Sequence, residues 1–323
     1  MISIRITENE KYICEKLDLG SLSDIDNFPF YVQIETVAKC NSRCIMCPRS
    51  RNAPIRQTLE MTDWIFEKIV NELKYHASHV RRVTAQGYGE PFLDRKLPSR
   101  IARLKEIGIR EVFISTNASL LDEEKARGIL ESGLDQIDFS LDAITKETYE
   151  RIRKGLDYDV VVRNIQNFLK MRDHIKPKTK VRFRYVIQQD NAHEYDDFCV
   201  FWKKRIGEND IISGKKIHTF GGHVEMPDSP EYQHLQEILR YLPCKGVFGS
   251  MAIFCDGQVP ICGVDVNQDY IAGNVNEFSL EEIWKGELFT EFRKKHLESG
   301  RSSYEHCPAC NSWATELKLL DAS

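Results

Sequence analysis

The stretch that decides the fold is AKCNSRCIMCPRS, residues 38–50, in which Cys40, Cys44 and Cys47 lie within eight positions of each other. It follows YVQIE, residues 31–35, an apolar run that predicts a buried strand. A loop after such a strand lies at the carboxyl end of the sheet, where α/β folds place their sites. Tetrahedral zinc and most iron–sulfur clusters need four thiolates, whereas this loop offers three. The loop therefore predicts a metal centre with one open coordination position.

Strand-like and helix-like segments alternate outward from this loop as far as residue 206. The helix-like segments are 10–15 residues long, and Gly108 and Gly133 are predicted to end two of them. This alternation predicts βαβ units and a parallel sheet, so the expected fold class is α/β. Strands are predicted at 31–35, 80–85, 111–115, 136–141 and 180–187, and helices near 61–73, 101–107, 122–133, 161–169 and 192–206.

The alternation ends near residue 220. TFGGHVEMPDSP, residues 219–230, is rich in glycine and proline and predicts a linker. SMAIFCDGQVPIC, residues 250–262, predicts a hairpin that turns at Asp256-Gly257. The motif from Ser279 to Glu282 matches a capping box and predicts the start of a helix. The predicted organisation is a polar N-terminal extension with one apolar turn over residues 1–30, a core domain over 31–220 and a small α+β domain over 221–323.

Composition and charge exclude several classes of protein. The 323 residues suggest about two domains. A net charge of −4 gives no basic footprint, so nucleic acid is not the expected partner. No apolar run approaches ~18 residues and the N-terminus is charged and mixed, so neither a membrane span nor a signal peptide is predicted. The expected location is the reducing cytoplasm, where clustered cysteines bind metals more often than they form disulfides.

The spacing Cys40-x3-Cys44-x2-Cys47 resembles the signature of the radical SAM enzymes. The resemblance implies a partial (β/α)6 TIM-like barrel in which these three cysteines hold a [4Fe–4S] cluster. In that family the fourth iron binds the amino and carboxylate groups of S-adenosylmethionine (SAM). An electron from the cluster then breaks the sulfonium S–C5′ bond and leaves a 5′-deoxyadenosyl radical. A structural zinc site is the alternative, and the motifs that follow the next strands favour the cluster.

Three further motifs resemble the SAM-binding positions of this family. GYGEP, residues 87–91, resembles the Gly-Gly-Glu motif, in which glycine lets the backbone approach the methionine part of SAM. STN, residues 115–117, and SLD, residues 140–142, resemble the positions for the ribose and amino acid parts. An arginine in YERIRKG resembles the one that pairs with the SAM carboxylate. The SAM contacts implied by the resemblance are Met46, Gly87, Tyr88, Gly89, Glu90, Ser115, Asn117, Ser140 and Arg153.

A second cysteine set resembles the SPASM and twitch domains that follow radical SAM cores. Its members are Cys244, Cys262, Cys307 and Cys310. A full SPASM domain carries several more cysteines after such a pair, and none follows here up to Ser323. The resemblance therefore implies the twitch form, with one auxiliary [4Fe–4S] cluster held by four cysteines that passes electrons. Structural zinc is the competing interpretation, because four-cysteine zinc sites also use C-x2-C pairs.

Three residues are candidates for catalysis. Cys255 lies in the predicted hairpin strand, where it either packs or donates a hydrogen atom, as cysteines do in radical SAM epimerases. Arg182 and Arg184 share one face of a strand. By resemblance Arg184 faces the barrel interior and meets substrate or SAM, the alternative being a salt bridge to a covering helix. Glu35 on the first strand is likewise a candidate to face the cavity. His218 is a weaker candidate for contact with substrate.

The resemblance implies the chemistry and leaves the substrate open. The leading hypothesis is oxidation or epimerisation of a small polar molecule such as a sugar, aminocyclitol or related alcohol, as in twitch-type aminocyclitol dehydrogenases. A flavodoxin or ferredoxin is the expected electron donor. The alternative is peptide or protein modification, which the roughly thirty residues before the first strand make less favoured, because they are too few for a leader-binding domain with its own core. A non-catalytic zinc-binding module is the third hypothesis.

Overall fold

A parallel sheet of seven strands organises the computed structural model, which describes residues 2–50, 59–175, 177–224, 233, 237, 240–305 and 307–311. The second half of the predicted linker, residues 225–230, lies outside the described residues. The strands are β1 Tyr31–Ile34, β2 Arg43–Cys44, β3 Arg82–Thr84, β4 Val112–Thr116, β5 Gln136–Ser140, β6 Arg153–Lys154, β7 Lys180–Ile187, β8 Ile211–Lys216, β9 Ser250–Ile253, β10 Gln258–Pro260 and β11 Ile271–Asn274.

Helices follow most of the sheet strands. Their described members are α1 Ile2–Leu17, α2 Asp63–Tyr75, α3 Leu97–Glu106, α4 Glu123–Glu131, α5 Lys146–Ile152, α6 Tyr158–Ile175, α7 Tyr195–Lys203, α8 Lys245–Gly249, α9 Leu280–Lys285 and α10 Glu287–Ser299. None of the described helices is long and apolar enough to cross a membrane.

The strand order of the large sheet is β8-β7-β5-β4-β3-β1-β9, and every neighbouring pair is parallel. Six of these strands, β1, β3, β4, β5, β7 and β8, lie side by side in the same order as they occur along the chain. This confirms the predicted α/β class and the partial (β/α)6 barrel. The two short strands β2 and β6 lie outside this sheet and pair with each other.

The two faces of the sheet differ in polarity. Phe139 and Phe183 are fully buried and stack edge-on against Phe168 of α6 and Phe198 of α7. Each such side chain contributes about 1.5–3 kcal/mol on burial. Because side chains alternate along a strand, the residues between them face the concave side of the barrel. That concave face carries Gln33, Thr84, Ser115, Asp138, Ser140, Arg182, Arg184 and Ser213.

The predicted helix boundaries are set by local backbone chemistry. Asp122 accepts a hydrogen bond from the backbone N–H of Lys125 and so caps α4. Gly108 and Gly133 follow α3 and α4 with φ of +94° and +81°, a region that glycine enters without strain. The Ser279–Glu282 capping box is present at the start of α9. These expectations are confirmed.

The N-terminal extension over residues 1–30 contains a helix that the sequence pattern did not predict, α1 Ile2–Leu17. Among its side chains from Arg5 onward, which the structure describes, the buried ones are Asn9, Ile13 and Leu17, four residues apart. One of the three is polar, which hides the helical period from the sequence pattern. The amide of Asn9 donates to the carbonyl of Leu297 at 2.8 Å and so ties α1 to α10.

The turn predicted at Asp256-Gly257 is confirmed, whereas the predicted pairing of the strands on its two sides is wrong. Gly257 has φ of +86° and its N–H donates to the carbonyl of Phe254 at 2.9 Å, as a turn there requires. However, β9 pairs parallel to β1, and the antiparallel hairpin is formed by β10 and β11. β9 is buried on both faces, so it gains more apolar burial inside the large sheet than in a two-stranded hairpin. The pairing brings the end of β9 beside the end of β1.

Candidate active site

The three-cysteine loop lies at the carboxyl end of β1 and is closed by short-range contacts. Cys44 lies in β2 and pairs with Arg153 of β6. The hydroxyl of Ser42 is 3.2 Å from the sulfur of Cys40 and 3.4 Å from that of Cys44. The N–H of Cys47 donates to the carbonyl of Cys44 at 3.1 Å. Burial raises the pKa of Cys47 to about 11, so this thiol keeps its proton until a metal centre replaces it.

Arg153 contacts both Asp142 and the three-cysteine loop. Its Nε and Nη2 lie 2.7 and 2.6 Å from Oδ2 of Asp142, and its Nη1 lies 3.7 Å from the sulfur of Cys44. Burial alone lowers the pKa of this guanidinium, but the charges of Asp142 and Cys44 outweigh burial and leave it above its ordinary value. The predicted contact of Arg153 with the SAM carboxylate stays a prediction. Asp142 is a site residue that the sequence analysis missed, although it ends the quoted motif SLD.

Glu90 joins the ends of two neighbouring strands. Its Oε1 accepts from the hydroxyl of Thr116 at 2.6 Å and from the N–H of Phe92 at 3.2 Å, and its Oε2 accepts from the N–H of Asn117 at 2.8 Å. Burial raises the pKa of Glu90 against the opposing effect of these hydrogen bonds. The carboxylate therefore positions the backbone around the predicted SAM site, and its own contact with SAM stays a prediction.

The two glycines of GYGEP are placed where the backbone has no room for a side chain. A Cβ at Gly89 would lie 2.6 Å from the carbonyl oxygen of Lys39 and closer still to that of Val37. A Cβ at Gly87 would lie 2.5 Å from a carboxylate oxygen of Glu35. The loop after β3 therefore packs directly on the three-cysteine loop. The predicted approach of these glycines to the methionine part of SAM stays a prediction.

The other predicted SAM contacts lie around the same opening. The hydroxyls of Ser115 and Ser140 are 3.1 Å apart at the ends of β4 and β5. The amide of Asn117 donates to the side chain of Asn41, which follows Cys40, at 2.9 Å. Met46 is buried in a small apolar cluster beside the loop. The structure thus brings the predicted residues together, while their contacts with SAM remain predictions.

Glu35 and Cys255 meet at the mouth of the barrel. Both are fully buried, and the thiol of Cys255 donates to Oε2 of Glu35 at 3.3 Å. Oε1 of Glu35 accepts from the N–H of Tyr88 at 3.0 Å. The hydroxyl of Tyr88 donates at 2.7 Å to the carbonyl of Gly263, the residue after Cys262. One run of contacts therefore connects the buried thiol, the predicted SAM loop and the second cysteine set.

Arg184 faces the concave side of the sheet, as predicted. It pairs in register with Ser140 on one side and Ser213 on the other. Its ion-pair partner is Asp138 of β5, at 3.8 Å, rather than a carboxylate of a covering helix. His218, the weaker candidate, lies close enough that burial and the charge of Arg184 lower its pKa to about 4.

The second cysteine set surrounds one cavity. Burial and the negative charges of the other three cysteines raise the pKa of Cys262 well above its ordinary value. Nδ1 of His296 accepts from the N–H of Cys244 at 3.3 Å, and its Nε2 lies 3.8 Å from the sulfur of Cys307. Burial lowers the pKa of His296 to about 3, so the ring is neutral and its Nε2–H faces the sulfur. His296 was missed because a histidine within a helix carries no motif of its own.

The donor sets have the thiolate chemistry that iron–sulfur clusters use. Within the described residues, no three side chains of the His, Cys, Asp and Glu types converge closely enough to chelate one metal ion. Zinc draws four thiolates to about 2.3 Å from one centre, whereas a [4Fe–4S] cluster spreads its cysteines over four irons. Cys244, Cys262, Cys307 and Cys310 line the second cavity together with aromatic side chains. These four could hold an auxiliary cluster, and the loop thiols could hold the SAM cluster.

Two family models match the chain. The Radical SAM superfamily model matches residues 34–201, just over half of the chain. The SPASM model, described as an iron-sulfur cluster-binding domain, matches residues 244–311. These matches establish SAM and a [4Fe–4S] cluster as cofactors of the first domain and iron–sulfur chemistry for the second.

Two relatives differ in how much of the chain they cover. A GTP 3′,8-cyclase of Limosilactobacillus fermentum is 32% identical over 177 residues, 54% of this chain and 50% of the cyclase. The chain thus spans about half the length of the cyclases that it matches. An S-adenosyl-L-methionine-dependent 2-deoxy-scyllo-inosamine dehydrogenase of Niallia circulans is 23% identical over 283 residues, 87% of this chain and 92% of that enzyme.

Solved structures share the fold. BtrN in complex with AdoMet and 2-DOIA is 19% identical, with 89% of this chain and 94% of BtrN covered and a TM-score of 0.60. SuiB of Streptococcus suis bound to precursor peptide SuiA is 17% identical, with 90% and 73% covered and a TM-score of 0.65. Similarity at this level of identity extends to the fold alone.

Iron analysis of the anaerobically reconstituted protein should give about eight irons per chain, as two four-iron clusters require. Cys262→Ser should reduce the content to about four irons, because it removes one ligand of the second set and leaves the loop thiols intact. Cys14→Ser, on α1, is the matched control and should retain about eight. Near-stoichiometric zinc without iron would contradict both cluster assignments.

Proposed function

Because this chain belongs to the radical SAM superfamily, we propose that it removes a hydrogen atom from a small hydroxylated substrate and thereby oxidises or epimerises it. The substrate class is a sugar, aminocyclitol or related alcohol. SAM and its [4Fe–4S] cluster supply the 5′-deoxyadenosyl radical that takes the hydrogen atom. The remaining work belongs to the side chains around the barrel mouth.

The polar concave wall of the barrel carries this proposal. Ser115, Ser140 and Arg184 lie on that wall next to the predicted SAM loops. Hydroxyl and guanidinium groups suit the several hydroxyls of a small polyol, since each buried polar group needs a partner. Similarity to a dehydrogenase over most of both chains supports the same substrate class.

Epimerisation would use Cys255 and Glu35. The S–H of Cys255 would return a hydrogen atom to the substrate carbon from the opposite face, leaving a thiyl radical. One electron from the low-potential donor and one proton restore the thiol. Glu35, whose Oε2 is 3.3 Å from the sulfur, is placed to relay that proton.

Oxidation would instead remove a second electron and the hydroxyl proton from the substrate radical. Such a step needs an electron outlet near the barrel mouth. The hydrogen bond from Tyr88 to the carbonyl of Gly263, beside Cys262, connects the mouth to the four-cysteine cavity. That cavity is the proposed outlet when it holds its auxiliary cluster.

The proposed setting is a reducing cytoplasm. An iron with an open coordination position is sensitive to oxidants, and SAM cleavage needs a strong one-electron reductant. A flavodoxin or ferredoxin is the proposed donor. The net charge of −4 gives no basis for adding nucleic acid as a partner.

A turnover screen by mass spectrometry in deuterated water tests the proposal. The reduced enzyme with SAM is offered hydroxylated small molecules in one set and peptides in another, and 5′-deoxyadenosine is quantified. A product two hydrogens lighter indicates oxidation, whereas a product heavier by one deuterium and otherwise unchanged indicates epimerisation. Stimulation by peptides alone would overturn the proposal in favour of peptide modification.

Cys255→Ala separates the two outcomes. In an epimerase this variant should still form 5′-deoxyadenosine but release product at less than about a hundredth of the wild-type rate, because the hydrogen donor is gone. In a dehydrogenase the same variant should retain product formation within a few-fold. Cys14→Ala serves as the control for thiol loss elsewhere in the chain.

A further inference from the structure

One wall of the barrel interior carries several basic side chains. Phe183 and Tyr185 of β7 are buried against α7. Because side chains alternate along the strand, Arg182 and Arg184 face the opposite, concave side. On β8, Gly214 packs against the ring of Tyr195, which leaves Lys215 on the concave side. Three basic side chains thus share one wall.

The carboxylate nearest these residues, that of Asp138, already accepts hydrogen bonds from Arg182. Asp138 is fully buried and accepts from Nε of Arg182 at 3.1 Å and from Nη2 at 2.5 Å. The amide of Gln136 donates to it as well, at 2.7 Å. The Arg184 guanidinium reaches the same carboxylate at 3.8 Å, beyond hydrogen-bonding distance. One carboxylate therefore faces two guanidiniums, and only Arg182 makes the close contact.

Arg184 is open to the barrel interior. Its side chain is 46% exposed although β7 is flanked by β5 and β8 in the sheet. Its neighbour His218 accepts from the N–H of Phe220 through Nδ1 at 2.8 Å, so a neutral ring presents Nε2–H as a donor. The two carboxylates whose charge reaches Arg184 are those of Asp138 and Asp142, and each makes its close contacts with another arginine. An ammonium would be repelled here, and an anion would be attracted.

We propose that the substrate carries an anionic oxygen group, a carboxylate or a phosphate, and that Arg184 binds it. This inference rests on the proposed function and narrows its substrate class to acidic sugars or polyols rather than free aminocyclitols. Arginine suits the task, because its planar fork donates two parallel hydrogen bonds to a carboxylate or phosphate. Arg184 pairs in register with Ser140, so the anion would lie beside a predicted SAM contact.

The binding test uses the anaerobically reconstituted holoenzyme saturated with SAM and titrated with inorganic phosphate. Wild type should bind phosphate saturably, and Arg184→Gln should bind it at least about tenfold more weakly. Arg184→Lys should lie between them, which shows that charge rather than folding is measured. Arg151→Gln on α5 is the matched control, because that side chain is 45% exposed and pairs with Glu147 on the outer surface.

Three binding results would overturn the anion site. The first is the absence of saturable phosphate binding to wild type, and the second is equal binding to wild type and Arg184→Gln. The third is competition between phosphate and SAM, which would assign Arg184 to the SAM carboxylate instead.

A substrate series separates this inference from the proposed function. Glucose, glucosamine, glucuronate and glucose 6-phosphate are compared for stimulation of 5′-deoxyadenosine, and the last two distinguish carboxylate from phosphate. Higher kcat/KM for an acidic member, lost in Arg184→Gln, supports the anion site. Equal turnover of neutral or aminated members by both proteins overturns it and leaves the proposed function standing. Arg184-dependent phosphate binding with peptides as the sole substrates keeps the anion site and overturns the proposed function.

Discussion

Arg153→Met is expected to abolish SAM-dependent formation of 5′-deoxyadenosine and to lower the thermal midpoint by on the order of 10 °C. The change leaves the carboxylate of Asp142 buried without its cation, and breaking such a pair costs about 3–5 kcal/mol. It also removes the guanidinium beside the sulfur of Cys44, so the loop loses its lateral support. Differential scanning calorimetry measures the thermal midpoint, and quantification of 5′-deoxyadenosine measures the loss of SAM cleavage.

Two variants separate charge from geometry in this prediction. Asp142→Asn combined with Arg153→Met removes both charges and should recover part of the thermal midpoint while 5′-deoxyadenosine formation stays lost. Arg151→Met, two residues away in a half-exposed ion pair, should cost less than about 1 kcal/mol and keep activity. Full activity in Arg153→Met would show that neither the loop nor SAM depends on this side chain.

The parts of the fold that local pattern determines were predictable. The β strands from Tyr31–Ile34 to Lys180–Ile187 follow from apolar runs, and the helices between them from spacing and caps such as Asp122. The position of the three-cysteine loop follows in turn, because a loop after a parallel strand lies at the carboxyl end of the sheet. What the patterns could not supply is a partner distant in sequence. The pairing of β9 with β1 depends on both strands being buried in one sheet.

The site divides in the same way. Motif residues such as Ser115 and Ser140 were predicted to share the opening, and their hydroxyls do meet. The contact between Glu35 and Cys255 joins residues 220 positions apart and follows from the unpredicted strand pairing. Arg184 was predicted to meet substrate or SAM, with an ion pair to a covering helix as the alternative; its ion-pair partner is Asp138 on the neighbouring strand, because register rather than sequence distance decides which side chains meet.

Gly89→Ala should reduce 5′-deoxyadenosine formation by at least about a hundredfold, because displacements near 1 Å at a reacting centre cost this much. The new methyl group would overlap the backbone carbonyls of Val37 and Lys39, which cannot rotate away as a side chain can. The loop after β3 and the cysteine loop would therefore move apart. The N–H of Glu90, which donates to the carbonyl of Lys39 at 2.8 Å, would lose its partner in the same movement.

Gly108→Ala is the matched control for this last prediction. Its Cβ would meet only Ala77 at 3.9 Å, so its cost is the strain of a side chain at φ of +94°, about 1 kcal/mol, far from the site. Both variants should unfold at lower temperature, yet only Gly89→Ala should lose SAM cleavage and weaken SAM binding by equilibrium dialysis. If Gly89→Ala binds SAM and forms 5′-deoxyadenosine as Gly108→Ala does, the two loops can accommodate the extra methyl group. Their close packing would then not determine the geometry of the SAM site. A selective loss would instead mean that the spacing of the two backbones sets the site, with the glycine required by the carbonyls of the cysteine loop.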